Sequence, residues 1–236
     1  MNLTQVLHWM HERADKENAI YKAKKFGIDA KHAIGLYQKD INEIAKQIKR
    51  NDDLAVQLFE TGIHEARLLC AKIYTPENLN EDLMQYWVET FDNWETTDTF
   101  CMKCFAKSPL SLKMATKWLE NEAEFIRRSG FVLLASYGFS HKKEGNEVFE
   151  SFFTQIKKYA DDERNFVKKA NNWALRSIGK RNVDLRTKAI AVAEDLLLSP
   201  SKTAHWIAKD ALRELQSPDV KMQDYPRHVY RSVDNG

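Results

Sequence analysis

The sequence predicts an all-α protein, built from short helices that pair antiparallel and stack as repeats. Three observations carry this reading. Glycine (8) and proline (5) are scarce for a chain of 236 residues, too few for the turns of an all-β sandwich or barrel. Between these breakers apolar residues recur every three or four positions, the period of one helix face. A charged residue followed by a small one and an apolar run occurs at Arg128-Ser129, Lys169-Ala170 and Asp210-Ala211, with the small residues 41 positions apart each time. That spacing suits an α-solenoid of HEAT- or armadillo-type helix pairs. An irregular helical bundle is the alternative that periodicity leaves open.

Taken in order, 40–50 reads as one helix and 53–60 as the next, with 64–74 following the break at Gly62. Segments 81–91 and 93–107 come after, and Asp92 or Asn93 can cap the helix that begins near Trp94. Segments 112–121, 122–137, 146–159, 163–178, 185–198 and 201–215 complete the series. The run FVLLA (131–135) has strand composition, but its flanking periodicity assigns it to helix. Two to four turns per helix with brief connections favour antiparallel neighbours. Residues 1–236 are expected to form one domain with a concave surface, and those after about 217 a loosely packed tail.

Thirty-six Lys and Arg against 34 Asp and Glu leave a formal charge of +2, which does not by itself announce a nucleic-acid binder. The distribution is more informative. Residues 165–188 hold seven basic residues against Asp184, and 21–50 hold eight against Asp29, Asp40 and Glu43. Residues 77–98 hold seven acidic residues and no basic one. Such segregation is expected when one surface attracts a polyanion. No run of 18 apolar residues occurs, the first residues lack the basic-then-apolar pattern of a signal peptide, and three cysteines make no disulfide framework. A cytoplasmic protein without membrane contact is expected.

Familiar cofactor signatures are absent. His64-Glu65 opens like a zinc-protease helix, but Leu68 stands where the second histidine is required. Cys101 and Cys104 form a lone CxxC inside a helical segment, which reads as buried thiols. With no glycine-rich phosphate loop and no GxSxG, neither a metal nor a nucleotide cofactor is expected.

Three groups of side chains stand out. Trp94, Asp98, Cys101 and Phe105 fall at i, i+4, i+7 and i+11, placing a carboxylate in an apolar stripe. Arg128 shares a face with Phe125, Val132 and Ala135. A structural Arg–Asp pair would account for both charges; a carboxylate held beside an aromatic surface to meet a developing positive charge is the functional reading. Lys169, Trp173, Arg176 and Lys180 form a basic stripe interrupted by one indole. This is either a solvated face or a nucleic-acid surface that binds phosphate and stacks a base or sugar.

Taken together, AIYKAKKFGI (19–28), GIHEARLLCAKIYTP (62–76), FDNWETTD (91–98), EFIRRSGFVLLA (124–135), DERNFVKKANNWALRSIGKRN (162–182) and HWIAKDALREL (205–215) resemble the DNA alkylation repair family of the AlkD type, over nearly the whole chain. The resemblance implies HEAT-like repeats and removal of positively charged N3- or N7-alkylated purines from double-stranded DNA, by hydrolysis of the N-glycosidic bond. A solenoid that binds a duplex in its concavity can work as a monomer. The family's cleft residues fall on Trp94, Asp98, Arg128 and Trp173, with Tyr21 and Arg176 matching two further positions. In this picture Asp98 is catalytic, Tyr21, Trp94, Arg128 and Trp173 bind the lesion, and Lys169, Arg176 and Lys180 hold DNA backbone. The chain departs from the family at Asn93, where a tryptophan is usual, and near HKKEG (141–145), where an insertion falls. A non-catalytic helical-repeat module that binds nucleic acid or a protein is the competing function.

Overall fold

Capping side chains and backbone breakers divide the described residues into fourteen α-helices. The computed structural model describes residues 1–28 and 32–231, and no strand occurs among them. Contacts cluster into two compact units, Met1–Leu110 and Ser111–Gly236, where one domain was expected from the sequence. Among the described residues no helix is long and apolar enough to cross a membrane.

The first unit holds α1 (Leu3–Glu12), α2 (Lys16–Phe26), α3 (Gln38–Ile48), α4 (Asp52–Glu60), α5 (His64–Ile73), α6 (Glu81–Glu89) and α7 (Trp94–Lys103). Asn51, Asn80 and Asn93 start α4, α6 and α7 by accepting the amide hydrogens of Leu54 (3.0 Å), Leu83 (2.8 Å) and Thr96 (3.0 Å). Gly27, at φ +70°, ends α2 in the left-handed conformation that glycine adopts without strain. Helices α3, α5 and α7 pack side by side, with α4 against α5 and α1 against α4. Trp87 of α6 is fully buried and meets the rings of Phe59, Tyr74 and Phe100 at centroid distances of 5.4, 5.1 and 5.2 Å.

The second unit holds α8 (Ser111–Leu119), α9 (Glu124–Ser140), α10 (Asn146–Lys158), α11 (Asn165–Gly179), α12 (Val183–Leu196), α13 (Lys202–Leu215) and α14 (Arg227–Tyr230). Helices α9, α11 and α13 pack in succession as one layer; α10 and α12 pair in another, and α8 covers α9. The 41-residue repeat has its physical basis here. Ser129, Ala170 and Ala211 sit on these three stacked helices and are buried, where a small side chain lets the neighbouring helix approach. Helix α9 is buried without interruption from Ile126 to Tyr137, so FVLLA lacks polar alternation because α8 and α11 cover it.

Buried polar groups pin these layers. Arg127 donates to the Leu119 carbonyl (3.0 Å), to Asp162 (2.8 Å) and to Glu122 (2.9 Å). Burial alone would raise the Asp162 carboxyl, but hydrogen bonds from Arg164 and Arg127 outweigh it and hold its pKa at about 2. Arg181 donates to the carbonyls of Gly138 (3.0 Å), His141 (3.0 Å) and Glu144 (2.9 Å), satisfying acceptors at the end of α9. The segment after about 217, expected as a loose tail, is tied down instead. Gln223 and Tyr225 donate backbone N–H to the carbonyls of Lys180 and Arg181 (both 2.9 Å), and Asn182 donates to the Tyr225 carbonyl (2.7 Å). Its residues 232–236, like Asp29 and Lys31 of the N-terminal basic stretch, lie outside the described residues.

Candidate nucleic-acid interface

In the first unit Trp94 opens α7, and Asp98 follows one turn later; both are half-buried. The Trp94 indole N–H donates to the carbonyl of Phe26 (3.1 Å), and the two rings meet edge-on at 5.9 Å. Phe26 in turn meets Tyr21 edge-on at 5.9 Å, so Tyr21 and Trp94 belong to one aromatic group. Tyr21 is 49% exposed, and the Lys25 ammonium lies 5.0 Å from its ring centroid and 5.6 Å from that of Phe26. Exposed rings beside an ammonium offer stacking surface and a phosphate counter-ion together.

Glu95 anchors this arrangement, and sequence reasoning missed it. Its carboxylate accepts from Lys22 of α2 (2.6 Å), His64 of α5 (2.8 Å) and Gln38 of α3 (3.1 Å). Burial would raise its pKa, but the hydrogen bonds and charges of His64 and Lys22 lower it to about 2. One member of the acidic 77–98 stretch is therefore consumed inside the unit. The only sequence signal was an acidic residue in the first turn of a helix, which the helix dipole alone explains.

The stripe expected along 93–107 is shorter than its spacing implied. Cys104 leaves helical geometry at φ −123°, ψ −68°, so α7 stops at Lys103, and Phe105 lies in a separate 3-10 turn, Phe105–Lys107. Phe105 packs with Trp87, Phe91 and Phe100 rather than continuing the face of Trp94 and Asp98. Cys101 and Cys104 are buried and form no disulfide, and burial pushes Cys104 up to about 12.

In the second unit Arg128 is buried on α9 and donates to the Phe166 carbonyl (2.7 Å), its guanidinium 5.9 Å from the Phe166 ring centroid. The basic stripe lies on α11 as far as Arg176, with Lys180 at the helix end. Lys169 is exposed and Trp173 half-buried. Arg176 and Lys180 both donate to Glu214 of α13, and Arg176 also lies 3.7 Å from Asp210. Two of the three cations of the expected basic surface are thus matched by one carboxylate, Glu214, 38 residues from Arg176 and 34 from Lys180 in sequence. Trp206 on α13, 39% exposed with the Lys168 ammonium 5.4 Å from its ring centroid, is a second aromatic–cation pair beside α11. Lys202 and Lys209, one turn to either side of Trp206, were the signal for it in the sequence.

Similarity to known proteins agrees with the helical architecture. A family model described as DNA alkylation repair enzyme matches residues 7–215. A solved structure, described as belonging to a new family of proteins related to the HEAT-like repeat DNA glycosylases with affinity for branched DNA structures, superposes with a TM-score of 0.73. It is 18% identical, over 90% of this chain and 95% of that one. No curated protein matches the sequence.

Proposed function

The chain belongs to the DNA alkylation repair enzyme family, and from that membership we propose that it is a DNA glycosylase for positively charged N3- or N7-alkylated purines, working as a monomer on double-stranded DNA. The observation that carries the reading is the half-buried Asp98 one helical turn after Trp94. Alkylation makes the purine cationic and a good leaving group, so the barrier lies in the oxocarbenium-like sugar. As the C1′–N9 bond breaks, its electron pair leaves with the base, which departs neutral. Asp98 stabilises the positive charge on the sugar and orients the water that attacks C1′, and the water's proton passes to the carboxylate or to solvent.

Trp94, Trp173 and Tyr21 offer π-faces to the cationic nucleotide, worth about 0.5–2 kcal/mol each. Arg128 anchors a phosphate near the lesion, and Lys169, Arg176 and Lys180 hold flanking backbone. Arg176 and Lys180 do so in competition with Glu214. A non-catalytic DNA-binding role is the second reading, favoured by the structural relative, whose family has affinity for branched DNA structures.

Release of 7-methylguanine from methylated duplex DNA tests both. Excision by the unmodified protein, lost in Asp98→Asn while DNA affinity is kept, is the expected result. Native-rate release by Asp98→Asn would overturn the catalytic assignment, and binding without release by the unmodified protein would favour the second reading.

A further inference from the structure

A cavity of about 240 Å³ opens in the first unit, lined by His32, His64, Arg67, Asp92, Asn93 and Thr96 among others. Most of its polar groups are already committed within the protein. His64 is held by Glu95 (2.8 Å) and the Thr96 hydroxyl (3.4 Å), and the Asn93 amide donates to Asp92 (2.8 Å). Arg67 differs. Its guanidinium lies 4.8 Å from the Phe59 ring centroid, its Nε is a buried donor without a hydrogen-bond partner, and no ion pair joins it to a carboxylate among the described residues. A permanently charged fork on the lining of a polar cavity, with no ion-pair partner among the described residues, can take an anion from outside.

We propose that this cavity takes one phosphodiester of a bound DNA strand, with Arg67 as its counter-ion. This rests on the DNA-binding part of the function proposed above. Guanidinium matches phosphate oxygens in a two-pronged geometry. The start of α5 has no side-chain cap, and its first residue, His64, lines the cavity, which adds a partial positive charge without carrying the argument. Asp92 selects among anions. Its carboxylate repels a dianionic phosphate more strongly than a singly charged phosphodiester, so the cavity favours a strand over free phosphate. Thr90, Asp92, Asn93 and Thr96 flank Trp94 in sequence and share the cavity lining, so a phosphate held there belongs to a strand passing Trp94.

The test measures duplex affinity against salt for the full chain, with damaged and undamaged duplexes, alongside excision. Arg67→Gln is expected to weaken both duplexes equally, about tenfold, and to reduce the salt slope by about one contact. Arg67→Lys retains most of the affinity, and Asp92→Asn tightens binding. Because Arg67 packs on Phe59, each variant is first checked for a native urea midpoint, and Asp92→Asn keeps the test open if Arg67→Gln fails to fold. A folded Arg67→Gln with native affinity and slope would overturn the inference, as would Asp92→Asn binding no tighter. So would tighter binding of inorganic phosphate than of undamaged duplex. Excision with an unaffected Arg67→Gln would remove the phosphate site alone, and a salt-dependent Arg67 effect without excision would remove the glycosylase reading alone. Absence of duplex binding by the unmodified protein would remove both.

Discussion

Trp94 donates its indole N–H to the backbone carbonyl of Phe26 at 3.1 Å, across 68 positions of sequence. This bond ties the start of α7 to the end of α2 and sets Tyr21, Phe26 and Trp94 in one aromatic group. Trp94→Phe removes the donor and keeps a ring. Because this bond is exposed, the expected stability loss is small, about 0.5–1 kcal/mol by urea unfolding. Affinity for alkylated DNA should fall more than affinity for undamaged duplex, because the weaker π-face loses most against a cationic base. Equal losses on both would place Trp94 outside the lesion contact.

Glu95 makes the first unit sensitive to acid. Its folded pKa of about 2 lies below the ordinary 4.5. Its contribution is therefore complete above pH 4.5 and lost as pH falls through 2, on the order of 3 kcal/mol in all. Glu95→Gln leaves the Lys22 ammonium, 10% exposed, without its counter-ion. A loss of about 3 kcal/mol is expected at pH 7, with the difference from the unmodified protein shrinking toward zero near pH 2. A difference that stays constant across that range would show that the carboxylate charge does not hold α2 to α7.

Glu214 limits the basic surface of α11. It accepts from both Arg176 and Lys180, and their hydrogen bonds and charges hold its carboxyl below the ordinary range despite burial. Glu214→Gln frees both cations for phosphate. Duplex affinity should rise several-fold at low salt, and the salt slope should steepen by up to about two contacts. Lys180→Gln made on its own should change affinity less than Glu214→Gln does. Fluorescence anisotropy titrations from low to physiological salt check both, and unchanged binding by Glu214→Gln would take Arg176 and Lys180 out of the interface.

Much of the fold was legible because helix periodicity and caps are local. Asn93 was readable as the cap before Trp94 and closes that turn through the Thr96 amide. Helices α1 and α2 carried equally local signals that were not read: Asn2 and Gln5 form a capping box, and Asp15 caps α2 by accepting from Glu17 and Asn18. The end of α7 was not legible in this way, because nothing in WETTDTFCMKCF breaks a helix. The chain leaves α-geometry there to bury Phe105 against Trp87, Phe91 and Phe100.

By itself the sequence determined the helices, the 41-residue register of small residues at Ser129, Ala170 and Ala211, and the one-turn spacing of Trp94 and Asp98, since each depends on neighbours within a few positions. Tertiary structure alone decided which charges are spent. Glu95 is paired by Lys22 and His64, and Arg176 and Lys180 by Glu214; among the described residues the Arg67 Nε has no hydrogen-bond partner. Whether a charge attracts a ligand depends on the counter-charge beside it, and that counter-charge is set by helix packing across 30 or more residues rather than by adjacent sequence.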